Sequence, residues 1–327
     1  RYWRDWSSDV CSSDLRVRHA AGRIAELGQA ARSAAARVGE AVAIRHVTQV
    51  ARSGVGADLG ALAELLADDI PDEALILTPL LRAALEALLA RCRQRDTLAE
   101  GLGAAARTRY RPGVRALLVG PSGTGKTLAA SWVATRLGLP LYRVDLASVT
   151  SKYIGETEKN LSELFARAEH AEVVLLFDEA DSLFGKRTDV KDANDRFANQ
   201  QTNYLLQRIE SFEGIVLLTS NSRARFDSAF TRRLDAIIEF PAPGPEERRA
   251  LWLAHLGERH GLDAAALNRL AAACDLAGGH IRNVVLAAAA LARQRGTALD
   301  EAALLAAVAA EYRKLGKALP SAMAAVT

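Results

Sequence analysis

The stretch GPSGTGKT, residues 120–127, constrains this chain more than any other. It follows a short apolar run, ALLVG (116–120), and opens a helical pattern at Lys126. Gly120, Gly123 and Gly125 let the backbone turn tightly, with its N–H groups pointing inward. The spacing G-x-x-x-x-G-K-[ST] therefore predicts strand, phosphate-cradling loop, helix. Gly120, Pro121, Ser122, Gly123, Thr124, Gly125, Lys126, Thr127 and Leu128 form the candidate nucleotide-binding stretch. Lys126 would reach the outer phosphates, the Thr127 hydroxyl would ligate Mg²⁺, and the helix would add its positive N-terminal end.

The texture around the loop extends that expectation. Four more short apolar runs follow: LYRVD (141–145), VVLLF (173–177), IVLLTSN (215–221) and AIIEF (236–240). Helical spacing separates them, as in Leu161, Leu164, Phe165 and Ala168, or Leu205, Ile209 and Phe212. The prediction is an α/β fold with a five-stranded parallel sheet covered on both faces. After Pro241, Pro243 and Pro245 the strand patterns stop, and 244–316 reads as a small all-helical domain with breaks at Gly261, Gly278–Gly279 and Gly296. Residues 317–327 read as a tail.

Upstream, residues 16–109 read as a helical accessory or linker region in which Pro71 and Pro79 separate short helices. The basic run RTRYRPGVR (107–115) reads as a solvated loop entering the domain at 110–243, with a nucleic-acid patch as the alternative. Residues 1–15 stand apart. The stretch from Asp5 to Leu15 back-translates into a sequence resembling a common sequencing-adapter oligonucleotide, so 1–15 is expected not to be biological. The natural N-terminus, and an upstream domain with it, is then expected to be missing.

Bulk properties exclude more than they assign. A net charge of +3 over 327 residues does not argue for nucleic acid. No apolar run approaches the roughly 18–20 residues of a membrane span. The three cysteines, at 11, 92 and 274, lack metal-ligand spacing and suit a reducing cytoplasm.

Other polar groups mark strand ends. Asp178 and Glu179 end the third apolar run, where Asp178 would help hold Mg²⁺ and Glu179 would orient or deprotonate an attacking water. The tetrapeptide DEAD (178–181) also matches RNA helicases of that name. Those need a second nucleotide-binding-like domain, for which 182–327 leaves no room. Asn221 ends the fourth run, where it would hydrogen-bond the attacking water or serve only as a turn residue. Arg232 and Arg233 precede the fifth run, as phosphoryl-stabilising guanidinium groups or as a surface pair. In NTPases such a group is worth about 10³–10⁵ in rate.

Taken in order, GPSGTGKT, LLFDEADSLF, TSN and DSAFTRRLD, followed by a helical lid, resemble an AAA+ ATPase over roughly residues 110–316. The resemblance implies ATP and Mg²⁺ as ligands and a P-loop NTPase core of αβα type, usually in a homo-hexameric ring. It implies Glu179 as catalytic glutamate, Asn221 as first sensor, and Arg232 and Arg233 as fingers acting on a neighbour's ATP. Arg282, in GGHIRN, would be a second sensor or a lid-interface residue. SKYIGETEKN (151–160) is similar to a client-gripping pore loop of the protein-remodelling branch, with Lys152, Tyr153, Ile154 and Gly155 at its tip. The stretch GKRTDVKDANDRFANQ is similar to bacterial ATPases found with phage-tail-like contractile injection systems. Components of such a system thereby become candidate partners, and the bacterial cytoplasm the expected location. The leading function is ATP-driven remodelling or threading of a protein client. The alternatives are a nucleotide-switched assembly scaffold and a DNA clamp or helicase loader, the last disfavoured by Glu156 and Glu158 beside Lys152 and Lys159. No H-E-x-x-H follows the lid, and no second phosphate loop is present.

Overall fold

A computed structural model describes residues 21–53, 59–108, 110–146, 156–182, 193–223, 226, 228–258 and 260–324. They fall into two compact units. The first comprises the described residues up to 70, with 83–119 and 127–238; the second comprises 71–82, 120–126 and the chain from 239 onward.

The first unit is built on a sheet of order β1-β3-β4-β5-β2-β6. The five expected strands are β2 (Val114–Val119), β3 (Leu141–Val144), β4 (Val174–Phe177), β5 (Ile215–Ser220) and β6 (Ala236–Glu239). β3 pairs parallel with β4, β4 with β5, and β5 with β2. All residues of β2, β4 and β5 are buried, because helices cover both faces and leave no polar side to alternate.

A sixth strand was not expected. β1 (Ala63–Leu66) comes from the region read as helical and pairs antiparallel with β3. Glu64 stands opposite Arg143 in the register, and the two form a cross-strand ion pair on an exposed face.

Helices α1 (Ala21–Arg37) and α2 (Ile44–Arg52) precede β1 and share a small core of Leu27, Val50 and Ala51. Helix α3 (Pro79–Gln94) begins at Pro79, whose fixed φ suits a first helical position, and the short α4 (Ala104–Thr108) follows. Helix α5 (Lys126–Leu137) follows β2, α6 (Glu156–Ala171) follows β3, and α7 (Ala193–Ser211) follows β4. Leu161, Leu164, Phe165 and Ala168 of α6 are buried, as their spacing predicted. They join Leu205, Ile209 and Phe212 against Leu117, Val119, Leu175 and Phe177 of the sheet. The short α8 (Ser228–Thr231) precedes β6.

Arg115 differs from its expected place in a solvated loop. It is buried in β2 and donates to the carbonyls of Ile209, Glu210 and Phe212, which lie at the C-terminal end of α7. A guanidinium there satisfies carbonyls that the helix leaves without partners.

The second unit is helical beyond β6: α9 (Pro245–Leu256), α10 (Ala264–Ala273), α11 (Gly278–Arg295), α12 (Glu301–Lys314) and α13 (Ser321–Ala324). Local chemistry sets these boundaries. Asp263 and Asp300 cap α10 and α12 by accepting from Ala266 at 2.6 Å and Ala303 at 2.8 Å. α11 ends at Gly296 in the left-handed conformation. Trp252, Leu267, Leu270, Ile281, Val284, Leu304 and Val308 form the core. Buried Arg248 donates to the carbonyls of Ala271 at 2.7 Å and Pro243 at 3.0 Å, and to Asp275 at 3.1 Å.

Candidate nucleotide site

In parallel strands the C-terminal ends collect at one sheet edge, and the register shows which residues meet there. Phe177 pairs with Leu218, and Ser220 pairs with Val119. One step past Phe177, Asp178 comes beside Thr219, and one step past Ser220 the chain reaches Asn221.

These residues form a connected set in the first unit. The Thr127 hydroxyl lies 3.1 and 3.3 Å from the two Asp178 carboxylate oxygens. Thr219 Oγ1 donates to Asp178 Oδ1 in a short hydrogen bond. The amide of Glu179 donates to Thr219 Oγ1 at 3.0 Å. Glu179 has φ 52°, unusual for a residue with a Cβ, and its side chain is exposed.

Sequence reasoning paired Thr127 with Asp178 as cation ligands, and the fold brings them together. Hydroxyl and carboxylate are hard oxygen donors and fit Mg²⁺. Among the described residues, no group of three or more His, Cys, Asp or Glu forms a metal cage. Thr219 was missed. Its signal was a hydroxyl at the end of an otherwise apolar strand, which gains meaning only once register places it beside Asp178.

The glycine-rich loop belongs to the second unit. Gly120 has φ 155°, and a Cβ there would lie 2.0 Å from the Phe240 carbonyl oxygen. Gly123 has φ 78°, and its carbonyl accepts from the Gly279 amide in the first turn of α11 at 3.1 Å. The Lys126 ammonium is largely buried and donates to the carbonyls of Gly120 at 2.7 Å and Pro121 at 2.9 Å. Thr124 Oγ1 donates to the Pro121 carbonyl at 2.9 Å. Pro121, Ser122 and Leu128 are exposed, and Gly125 has open space where a Cβ would be.

Asn221, Arg232 and Arg233 are exposed. Arg233 pairs with Glu210 of α7 at 3.2 Å. Arg282 is exposed on α11, and its charge, after burial, helps hold His255 of α9 below the ordinary histidine range. Lys152, Tyr153, Ile154 and Gly155 lie outside the described residues, as do 185–192 of the stretch GKRTDVKDANDRFANQ.

Comparison with known proteins agrees with this geometry. Residues 116–242 match the family "ATPase family associated with various cellular activities (AAA)". Residues 244–313 match the "Contractile injection system ATPase helical domain". Proteasome-activating nucleotidase 2 of Halobacterium salinarum is 32% identical over 163 residues, 48% of this chain and 40% of that protein. An AAA family ATPase of Sinorhizobium fredii is 38% identical over 129 residues, 39% of this chain and 38% of that protein. Spastin of Drosophila virilis is 36% identical over 174 residues, 49% of this chain and 22% of that protein. The chain thus spans less than half the length of each of these relatives. The crystal structure of the FIGL-1 AAA domain aligns with a TM-score of 0.59 at 22% identity, covering 82% of this chain and 96% of that one, which supports the fold. The chain therefore carries an AAA ATPase domain followed by a helical domain of the contractile injection system ATPases.

Proposed function

We propose that this chain binds ATP with Mg²⁺, hydrolyses it, and uses the hydrolysis to remodel a protein client within a ring of identical subunits. The observation that carries the proposal is the Thr127–Asp178–Thr219 hydroxyl–carboxylate set, with the exposed Glu179 carboxylate one residue beyond it.

Each residue has a part. The loop amides and the N-terminal end of α5 hold the phosphates. Lys126 exchanges the Gly120 and Pro121 carbonyls for phosphate oxygens. Thr127 and Asp178 would hold the cation. Bound Mg²⁺ supplies charge neutralisation at the phosphates. Glu179 orients the attacking water and accepts its proton, with Asn221 holding the same water. Arg232 and Arg233 act on the nucleotide of the next subunit. Glu210 then keeps Arg233 extended until that nucleotide arrives. Arg282 acts from the lid on the outer phosphate. Tyr153, with Lys152, Ile154 and Gly155, grips the client.

The helical-domain match at 244–313 supports a contractile injection system component as client or partner. The relative named for proteasome activation supports a remodelling role. Buried free Cys92 and Cys274 suit a cytoplasmic location. Among the described residues, no helix is long and apolar enough to cross a membrane.

The test is Glu179→Gln, measured for ATP binding, ATP turnover and particle symmetry by electron microscopy. The variant should bind ATP as the parent does, lose turnover by about 100-fold or more, and be trapped as a ring. A parent chain without turnover, or a Glu179→Gln variant that keeps it, overturns the ATPase proposal. A monomer under ATP removes the trans-acting arginines.

A further inference from the structure

We infer that Thr219 is a positioning residue for this hydrolysis, setting both the Asp178 carboxylate and the backbone of Glu179. The inference rests on the ATPase function proposed above.

Thr219 is 1% exposed, in a strand where Ile215, Val216, Leu217 and Leu218 are equally buried. A hydroxyl there must find partners, since an unbonded one is costly to desolvate. It finds two, both from the segment just after β4. It accepts from the Glu179 amide and donates to Asp178 Oδ1. A hydroxyl has a single proton, so accepting from Glu179 while facing a carboxylate fixes which way that proton points. The chain of donors is complete: Glu179 N–H to Thr219, Thr219 O–H to Asp178, and Thr127 O–H to the same carboxylate.

Two consequences follow from the geometry. The Asp178 carboxylate is held by hydroxyls from β5 and from α5, which fixes its plane before a cation arrives. The left-handed turn at Glu179, an exposed residue, is tied at its own amide, so the chain leaves the strand there at a fixed point. Threonine suits this place better than serine, because its branched Cβ restricts χ1.

The experiment compares the full chain with Thr219→Val, Thr219→Ser and, if the valine variant is insoluble, Thr219→Cys. A fluorescent ATP analogue is titrated with and without Mg²⁺, and kcat and KM are measured separately. Valine keeps the volume and removes the hydrogen bonds. It should leave Mg²⁺-free nucleotide affinity within about twofold and raise the Mg²⁺ concentration for half-maximal tightening. It should also lower kcat by about 10–100-fold, the scale of a small misplacement. Serine should restore most of both effects. Wild-type kcat and Mg²⁺ response in the valine variant overturn the inference. So does an equal loss of Mg²⁺-free binding and kcat, which marks a merely structural role, or a failure of serine to rescue. A parent chain without turnover refutes the ATPase proposal instead, and the Mg²⁺ response still reports on Thr219.

Discussion

Arg95 and Glu172 form an ion pair of 2.8 Å with only 10% and 8% of their side chains exposed. Arg95 follows α3, and Glu172 follows α6 with φ 51°. The C-terminal residue of a helix is often glycine in that conformation; here a glutamate takes it and brings its carboxylate to Arg95. Arg95→Ala leaves a buried charge without its cation and should cost about 3–5 kcal/mol of stability in urea denaturation. Arg95→Met combined with Glu172→Gln should cost less than the single change. A loss under about 1 kcal/mol in the single variant would show that the pair contributes as little as a surface one.

Gly120→Ala is expected to disable the phosphate loop. The added Cβ would meet a backbone oxygen at 2.0 Å, and backbone cannot swing aside as a side chain can. Strain of about 1–3 kcal/mol corresponds to about a 5- to 150-fold loss of nucleotide affinity. The exposed Glu169→Ala on α6, outside the loop, is the control and should stay within about twofold by the same titration, since surface changes of this kind are small.

Arg248→Met should loosen the helical unit. It removes the donor from the buried Ala271 carbonyl, which costs about 1–3 kcal/mol when left unsatisfied, and from the partly buried Pro243 carbonyl, which water can reach. Hydrogen exchange of the α10 amides reads the effect. Protection there should fall by at least about tenfold, and unchanged protection would assign Arg248 a packing role alone.

The helical unit should also weaken in mild acid. His255 is an exposed residue of α9, yet partial desolvation of its ring, and then the charge of Arg282, lower its pKa, so the effect on stability is small. The unfolded chain therefore binds more protons at this position than the folded chain. Stability is fully present above the ordinary value of about 6.5. It is lost as pH falls through that value, and the loss ends below the folded value. A lower melting temperature at about pH 5.5 than at pH 7.5 is expected, and His255→Gln should narrow the gap. A direct proton NMR titration placing His255 above the ordinary range would reverse the sign.

Much of the fold could be read from spacing. The stripe Leu161–Leu164–Phe165–Ala168 fits only a helix with one buried face, and the structure buries it. β1 could not be read that way. Leu62, Leu65 and Leu66 fit helical spacing, and only pairing with β3, including Glu64 opposite Arg143, makes the segment a strand. The glycine loop, Asp178 and Glu179 were legible because their chemistry is tied to fixed sequence spacing. Thr219 and Arg115 were not. The first depends on strand register, and the second depends on where α7 ends.

Strand β4 is only four residues long, and a glutamate in the left-handed conformation stands near each end, at 172 and 179. One is fastened by its side chain to Arg95, the other by its amide to Thr219. The interval from 172 to 179 is thereby a spacer of fixed length. Inserting or deleting one residue within it would rotate alternate side chains to the opposite sheet face and detach one of the two anchors. Length variation in this chain therefore belongs in connections such as 38–43, between α1 and α2, and not along the eight residues that carry Asp178.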